Sequence, residues 1–165
     1  MIELASLLGN PWVWLFFMNL IPLTELRATI PAAILIWGLP WLPVFIASVL
    51  IHIALAPVIY FCLSKFLDFV LRVDFFNRFY HNEVMKVQAK ATPYVEKYGV
   101  LGLSLFIFIP LPGSGTYSGT LAAFLLKFGY KKLFIANAVG MFFNGLLWTG
   151  ISIGAFSFLN GFLPF

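Results

Sequence analysis

The sequence predicts an all-α integral membrane protein. It would consist of two inverted repeats, each a re-entrant helical hairpin followed by a transmembrane helix, joined by an amphipathic helix. Three observations lead there. Hydrophobic residues make up 62% of the 165 residues, charged residues only 10%, and mean hydropathy is +0.99. A typical globular chain is ~45–50% apolar and ~25% charged, and a water-soluble fold of this size would not cover that much apolar surface. The charges are also segregated. Residues 1–64 carry only Glu3, Glu25 and Arg27, residues 98–165 only Lys127, Lys131 and Lys132, and the rest lie between Lys65 and Lys97. Finally, two of the four long apolar stretches are interrupted halfway by Pro and Gly.

The first stretch, 12–38, is broken at Pro22-Leu23-Thr24-Glu25-Leu26-Arg27. The second, 41–64, has no charge. The third, 100–126, is broken at Pro110-Leu111-Pro112-Gly113-Ser114-Gly115, and the fourth, 133–163, is again uncharged. A crossing takes ~20 apolar residues, so stretches two and four are long enough to span. The arms of stretches one and three reach only ~15 Å, half the hydrocarbon thickness. Such arms suit a hairpin that enters and leaves on one side. Irregular backbone at that depth is tolerated where protein or a wet cavity satisfies it.

An internal repeat accompanies this pattern. Ile21-Pro22-Leu23 returns as Ile109-Pro110-Leu111, and Phe45-Ile46-Ala47-Ser48 as Phe134-Ile135-Ala136-Asn137. The matches keep their order and nearly the same offset, which is expected of a duplicated transporter fold. The chain is therefore read as a single membrane domain over 1–165. Its parts are repeat 1 over about 11–64, a connector over 65–97 and repeat 2 over about 99–160.

Charge sets the orientation. A hairpin plus one crossing places the connector and the base of the second hairpin on one side, with nine of the ten Lys and Arg residues. The bias of basic loops makes that side cytoplasmic and both termini external, in a multi-pass protein of the cell (inner) membrane. The net charge of +4 is then a topology signal, and no nucleic-acid partner is expected. Within the connector, Phe66, Phe69, Val70, Val73, Phe76 and Tyr80 recur at helical spacing. Asp68–Arg72 and Asp74–Arg78 form i, i+4 pairs on the wet side. This helix is expected to lie at the inner interface among membrane lipids.

Glu25 and Arg27 are the sharpest functional signal. Each charge near the bilayer centre costs ~2.5–3.5 kcal/mol on insertion scales. A chain with so few charges has placed one of each sign inside an apolar stretch. They bind a proton, an ion or a ligand, or else form a structural pair that locks the hairpin tip. Thr24 is expected to cap the second arm with Glu25 in its first turn, and Pro31 to kink that arm. In the second break Gly113 and Gly115 permit close backbone approach, while Ser114, Thr116, Tyr117 and Ser118 offer hydroxyls. Amides at a half-helix N-terminus favour anions. Tight helix packing through small residues is the alternative there. Asn137, Asn144 and His52 are polar residues inside spanning stretches; cross-helix hydrogen bonding is their ordinary role, and Asn137 is also carried as a site residue. The five Trp residues read mainly as interface anchors, and Cys62 as a lipid-facing or packed apolar residue. The lone cysteine rules out an internal disulfide.

No zinc-protease or Walker motif is present. Ser114 with His52 is a weak echo of a serine hydrolase dyad. The chain is expected not to be an enzyme and to need neither cofactor nor metal.

Residues 22–31, Pro-Leu-Thr-Glu-Leu-Arg-Ala-Thr-Ile-Pro, resemble the P-x-x-E-L-R-x-x-I-P signature of the putative small multidrug export protein family. Residues 110–119, Pro-Leu-Pro-Gly-Ser-Gly-Thr-Tyr-Ser-Gly, resemble that family's second signature, P-x-P-G-[ST]-G. The likeness covers about residues 10–155. The family is distantly similar to the DedA/VTT group, whose members have paired re-entrant hairpins and are implicated in lipid-carrier flipping. The second break here lacks the arginines of that group. The resemblance implies a cell-membrane transport role. The leading expectation is a proton- or ion-coupled secondary exporter of small amphipathic molecules, acting as a homo-oligomer, most simply a dimer. A lipid flippase or scramblase and a non-transporting membrane scaffold are the alternatives.

Overall fold

The computed structural model describes residues 9–22, 24–70, 98–110 and 115–162. The first helix, α1, spans Pro11–Leu20. Asn10 caps it by accepting from the Trp12 amide at 3.0 Å, and Pro11 fits the first helical position because its missing N–H would have no partner there. The second, α2, spans Glu25–Pro31 and runs into a π-helical segment, Ala32–Ile36. Pro31 thus marks the point where the helix widens instead of breaking. The long helix α3 spans Trp41–Val70. Helix α4 covers Tyr98–Phe108, α5 Thr116–Leu125 and α6 Tyr130–Phe162. No strand occurs among the described residues.

The two halves share one order of elements: a short helix, a break, a short helix, a long helix. Ile21-Pro22 follows directly on α1 and Ile109-Pro110 directly on α4. The matched tetrapeptides begin at the fifth residue of α3 and of α6. Helix α3 continues without interruption past Ser64 to Val70. The remainder of the 65–97 connector, with both proposed ion pairs, lies outside the described residues.

Helices α3 and α6 form the central pair. Each short helix that follows a break then crosses over. Helix α2 packs chiefly on α6 and α5 chiefly on α3, so each half covers the long helix of the other. Close approach depends on glycine. A Cβ on Gly145 of α6 would come within 2.8 Å of Val49 in α3. One on Gly140 would come within 2.8 Å of Ile107 and of the Ser104 carbonyl in α4. Small residues of this kind bring membrane helices together.

Two segments, Trp41–Phe66 and Tyr130–Ala155, are long and apolar enough to cross a membrane. In the most apolar 18-residue window of each, only 33% and 39% is buried among the described residues, whereas the core helix of a soluble fold is mostly buried. Their outward faces carry Leu42, Ile46, Leu50, Val58, Phe61, Phe134 and Phe142, all exposed. Cys62 is exposed among them rather than packed. Trp12, Trp14 and Trp41 are exposed as anchors would be. Trp148 is half-buried: it packs against the core, and its indole N–H is buried with no acceptor among the described residues.

Candidate functional site

Glu25 is the first residue of α2 and is buried, at 5% exposure. Its φ of +38° lies in the left-handed region, a conformation that costs a non-glycine residue free energy and clusters at functional positions. Its carboxylate meets the N-terminus of α5. The Tyr117 amide donates to Oε1 at 3.5 Å, with the Thr116 amide beside it. The carboxylate therefore stands at the positive end of α5, where an anion is favoured. Arg27 completes the group, with its guanidinium 3.6 Å from Oε2 and itself 22% exposed. Residues two apart on a regular helix do not face one another. The pair forms because Glu25 departs from helical geometry.

Gly115 leaves no space between the halves. A Cβ there would fall 1.8 Å from Glu25 Oε2, and its φ of +141° is open only to glycine in practice. Tyr117 makes a second tie, its hydroxyl donating to the Leu20 carbonyl at the end of α1. Leu20 is the last residue of that helix, so this bond satisfies a carbonyl that the helix itself leaves open.

The structure thus brings together Glu25, Arg27, Gly115, Thr116 and Tyr117. Ser118 lies in the same turn but points back along the chain, its hydroxyl 3.5 Å from the Gly115 carbonyl. Gly113 and Ser114 lie outside the described residues, and so does any pairing of Ser114 with His52. Thr24 does not cap α2. No side-chain capping bond forms, and its hydroxyl donates instead to the carbonyls of Met18 at 2.5 Å and Ile21 at 3.2 Å. The hydroxyl ties the break to the end of α1, because Thr24 already has helical backbone angles.

Asn137 is not shown among this group. It is fully buried where the long helices meet and donates to the His52 carbonyl at 2.9 Å. His52 in turn sits 3.0 Å from the Ser48 carbonyl through Nδ1, and Ser48 meets Asn19 at 3.2 Å. This is a cross-helix polar ladder, the ordinary use of such residues in a membrane. Asn144 closes α4, donating to the carbonyls of Ile107 at 3.4 Å and Phe108 at 3.0 Å.

Two residues escaped the sequence reading. Thr29 lies one turn beyond Glu25 and Thr120 one turn beyond Thr116. Both are fully buried, and like Thr116 their hydroxyls have no partner among the described residues. Their i, i+4 spacing from the two breaks was the available signal. Threonine is common enough in membrane helices that the spacing did not stand out.

The fold and the site define a helical membrane protein whose two chain breaks converge on a buried carboxylate. The chain belongs to the putative small multi-drug export protein family, whose model matches residues 25–147. That span opens on Glu25 and includes both breaks' convergent residues. Comparison with curated proteins and with solved structures returned no match.

Proposed function

We propose that this protein is an ion- or proton-coupled secondary exporter of small amphipathic molecules, with Glu25 as the coupling residue. The observation that carries the reading is the Glu25 carboxylate, carried by the first residue of α2 and bonded at the N-terminus of α5. Binding a proton or cation there weakens the attraction that joins the two halves, so occupancy and conformation are coupled. The exchanged packing of α2 on α6 and α5 on α3 supports two units that rock about the central pair. In this proposal the units are inverted repeats and their short helices are re-entrant hairpins, giving access from each side in turn. The connector is cytoplasmic, both termini are external, and the working unit is a homodimer without enzymatic activity. Thr29, Thr116 and Thr120 supply hydroxyls along the route to the carboxylate.

The experiment is ethidium flux in proteoliposomes under an imposed pH gradient. Wild type is expected to respond to the gradient, and Glu25→Gln to lose at least about tenfold of that response, the factor for ~1.4 kcal/mol of coupling. Undiminished, gradient-dependent flux in Glu25→Gln sinks the assignment.

A further inference from the structure

The start of α6 and Pro57, near the middle of α3, border an open cleft of about 410 Å³, lined by Pro57, Tyr130, Lys131, Phe134 and Ile135. We propose that this cleft binds an anionic phospholipid, one acyl chain lying in it and the phosphate meeting Lys131. The proposal is independent of ion coupling at Glu25 but takes its leaflet from the orientation proposed above.

The chemistry of the walls selects such a ligand. Phe134 and Ile135 are 48% and 51% exposed, so the cleft opens on the face that meets hydrocarbon. Apart from Lys131 and the Tyr130 hydroxyl, its side chains are apolar, which suits an alkyl chain. The cation at its rim, exposed and adjacent to exposed Lys132, suits a phosphate on the end of that chain.

The walls are fixed rather than fortuitous. Tyr60 of α3 donates to the Phe128 carbonyl at 2.8 Å, and its ring lies 4.5 Å from that of Tyr130. These contacts hold the start of α6 against α3. Along α3, Phe61 and Lys65 follow Pro57 at i+4 and i+8, on the same helix face. Lys65 reaches back over the Phe61 ring, 5.9 Å from its centroid, which brings its charge toward the same end. A lysine stem covering apolar surface while its head stays wet is the ordinary snorkelling habit. In the proposed orientation this end faces the cytoplasmic leaflet, whose lipids carry negative charge.

The test is native mass spectrometry of the purified protein in detergent, equilibrated with equimolar phosphatidylglycerol and phosphatidylcholine of matched chains. Phosphatidylglycerol is expected to be retained preferentially. Lys131→Gln should lower that preference about fivefold, the factor one lysine supplies near an anionic surface. Ile135→Trp, which fills the cleft, should lower retention of both lipids. Lys127→Gln removes the same charge from an exposed residue outside the cleft and should leave the preference unchanged. Equal retention of the two lipids overturns the proposal. So does an equal loss in Lys127→Gln and Lys131→Gln, which would indicate a diffuse surface field, or full retention in Ile135→Trp.

Discussion

The Tyr117 amide donates to the Glu25 carboxylate across 3.5 Å, joining residues 92 positions apart in the chain. The first turn of any helix has amides with no partner inside it. Helix α5 takes its acceptor from the other half of the molecule. Glu25 meanwhile opens α2, so the first residue of one short helix supplies the acceptor for the first turn of another. Removing that charge acts on both halves together, and the following predictions rest on this arrangement.

Truncating the acceptor differs from neutralising it. Glu25→Ala leaves the part-buried Tyr117 amide without its acceptor, costing up to about 1–3 kcal/mol. Glu25→Gln keeps an oxygen in place and should cost less. Thermal unfolding in detergent should therefore rank wild type above Gln and Gln above Ala. A lower midpoint for Gln than for Ala contradicts the capping geometry.

Gly115→Ala should be among the most damaging single-methyl changes. The added carbon would fall 1.8 Å from Glu25 Oε2, so the two breaks must part. Gly38→Ala provides the comparison. Its φ is also positive, at +63°, but nothing lies within 4 Å, so only the backbone term of about 1–2 kcal/mol applies. Stability measurements should show a clearly larger loss at Gly115.

Tyr117→Phe removes the hydroxyl that donates to Leu20 and leaves the amide bond to Glu25 in place. Loss of a partner for a part-buried carbonyl costs about 1–3 kcal/mol. The unfolding midpoint should fall while gradient-driven flux per folded molecule is largely kept. Abolished flux in a well-folded Tyr117→Phe would assign the hydroxyl a direct part in transport.

Asn144→Ala should destabilise the protein by a similar amount, about 1–3 kcal/mol, because the end of α4 loses the donor for two carbonyls. Asn144→Asp should be at least as harmful, since its carboxylate offers no donor and brings a buried charge. Comparing unfolding midpoints of the two variants checks both statements.

Topology is open to cysteine labelling once exposed Cys62 has been changed to Ser. Under the hairpin arrangement, Thr24→Cys should react with a membrane-impermeant maleimide from the outside and Ser114→Cys from the inside. Reaction of both from one side only would exclude two hairpins dipping from opposite faces.

Much of this architecture is written locally along the chain. Apolar run length separates α3 and α6 from the short helices, because a helix gains the same rise per residue whatever it packs against. Ile-Pro after α1 and α4 marks both breaks, since proline disfavours helical backbone in the residue before it. Glu25 and Arg27 stand out from composition alone, because a charge in an apolar run is expensive wherever the run ends up.

Partnership was decided by tertiary structure. The sequence placed Thr24 as a cap and carried Asn137 toward the breaks. In the fold Thr24 bonds back to α1, and Asn137 bonds His52 across the central helix pair. Thr29 and Thr120 became visible only once both were found fully buried. The exchange of α2 and α5 between the two long helices also has no local signature. Hydropathy and proline act on a residue and its neighbours, so they can be read in order. Which carbonyl an amide reaches depends on how helices cross and rotate, and that is determined by packing among residues far apart in the chain.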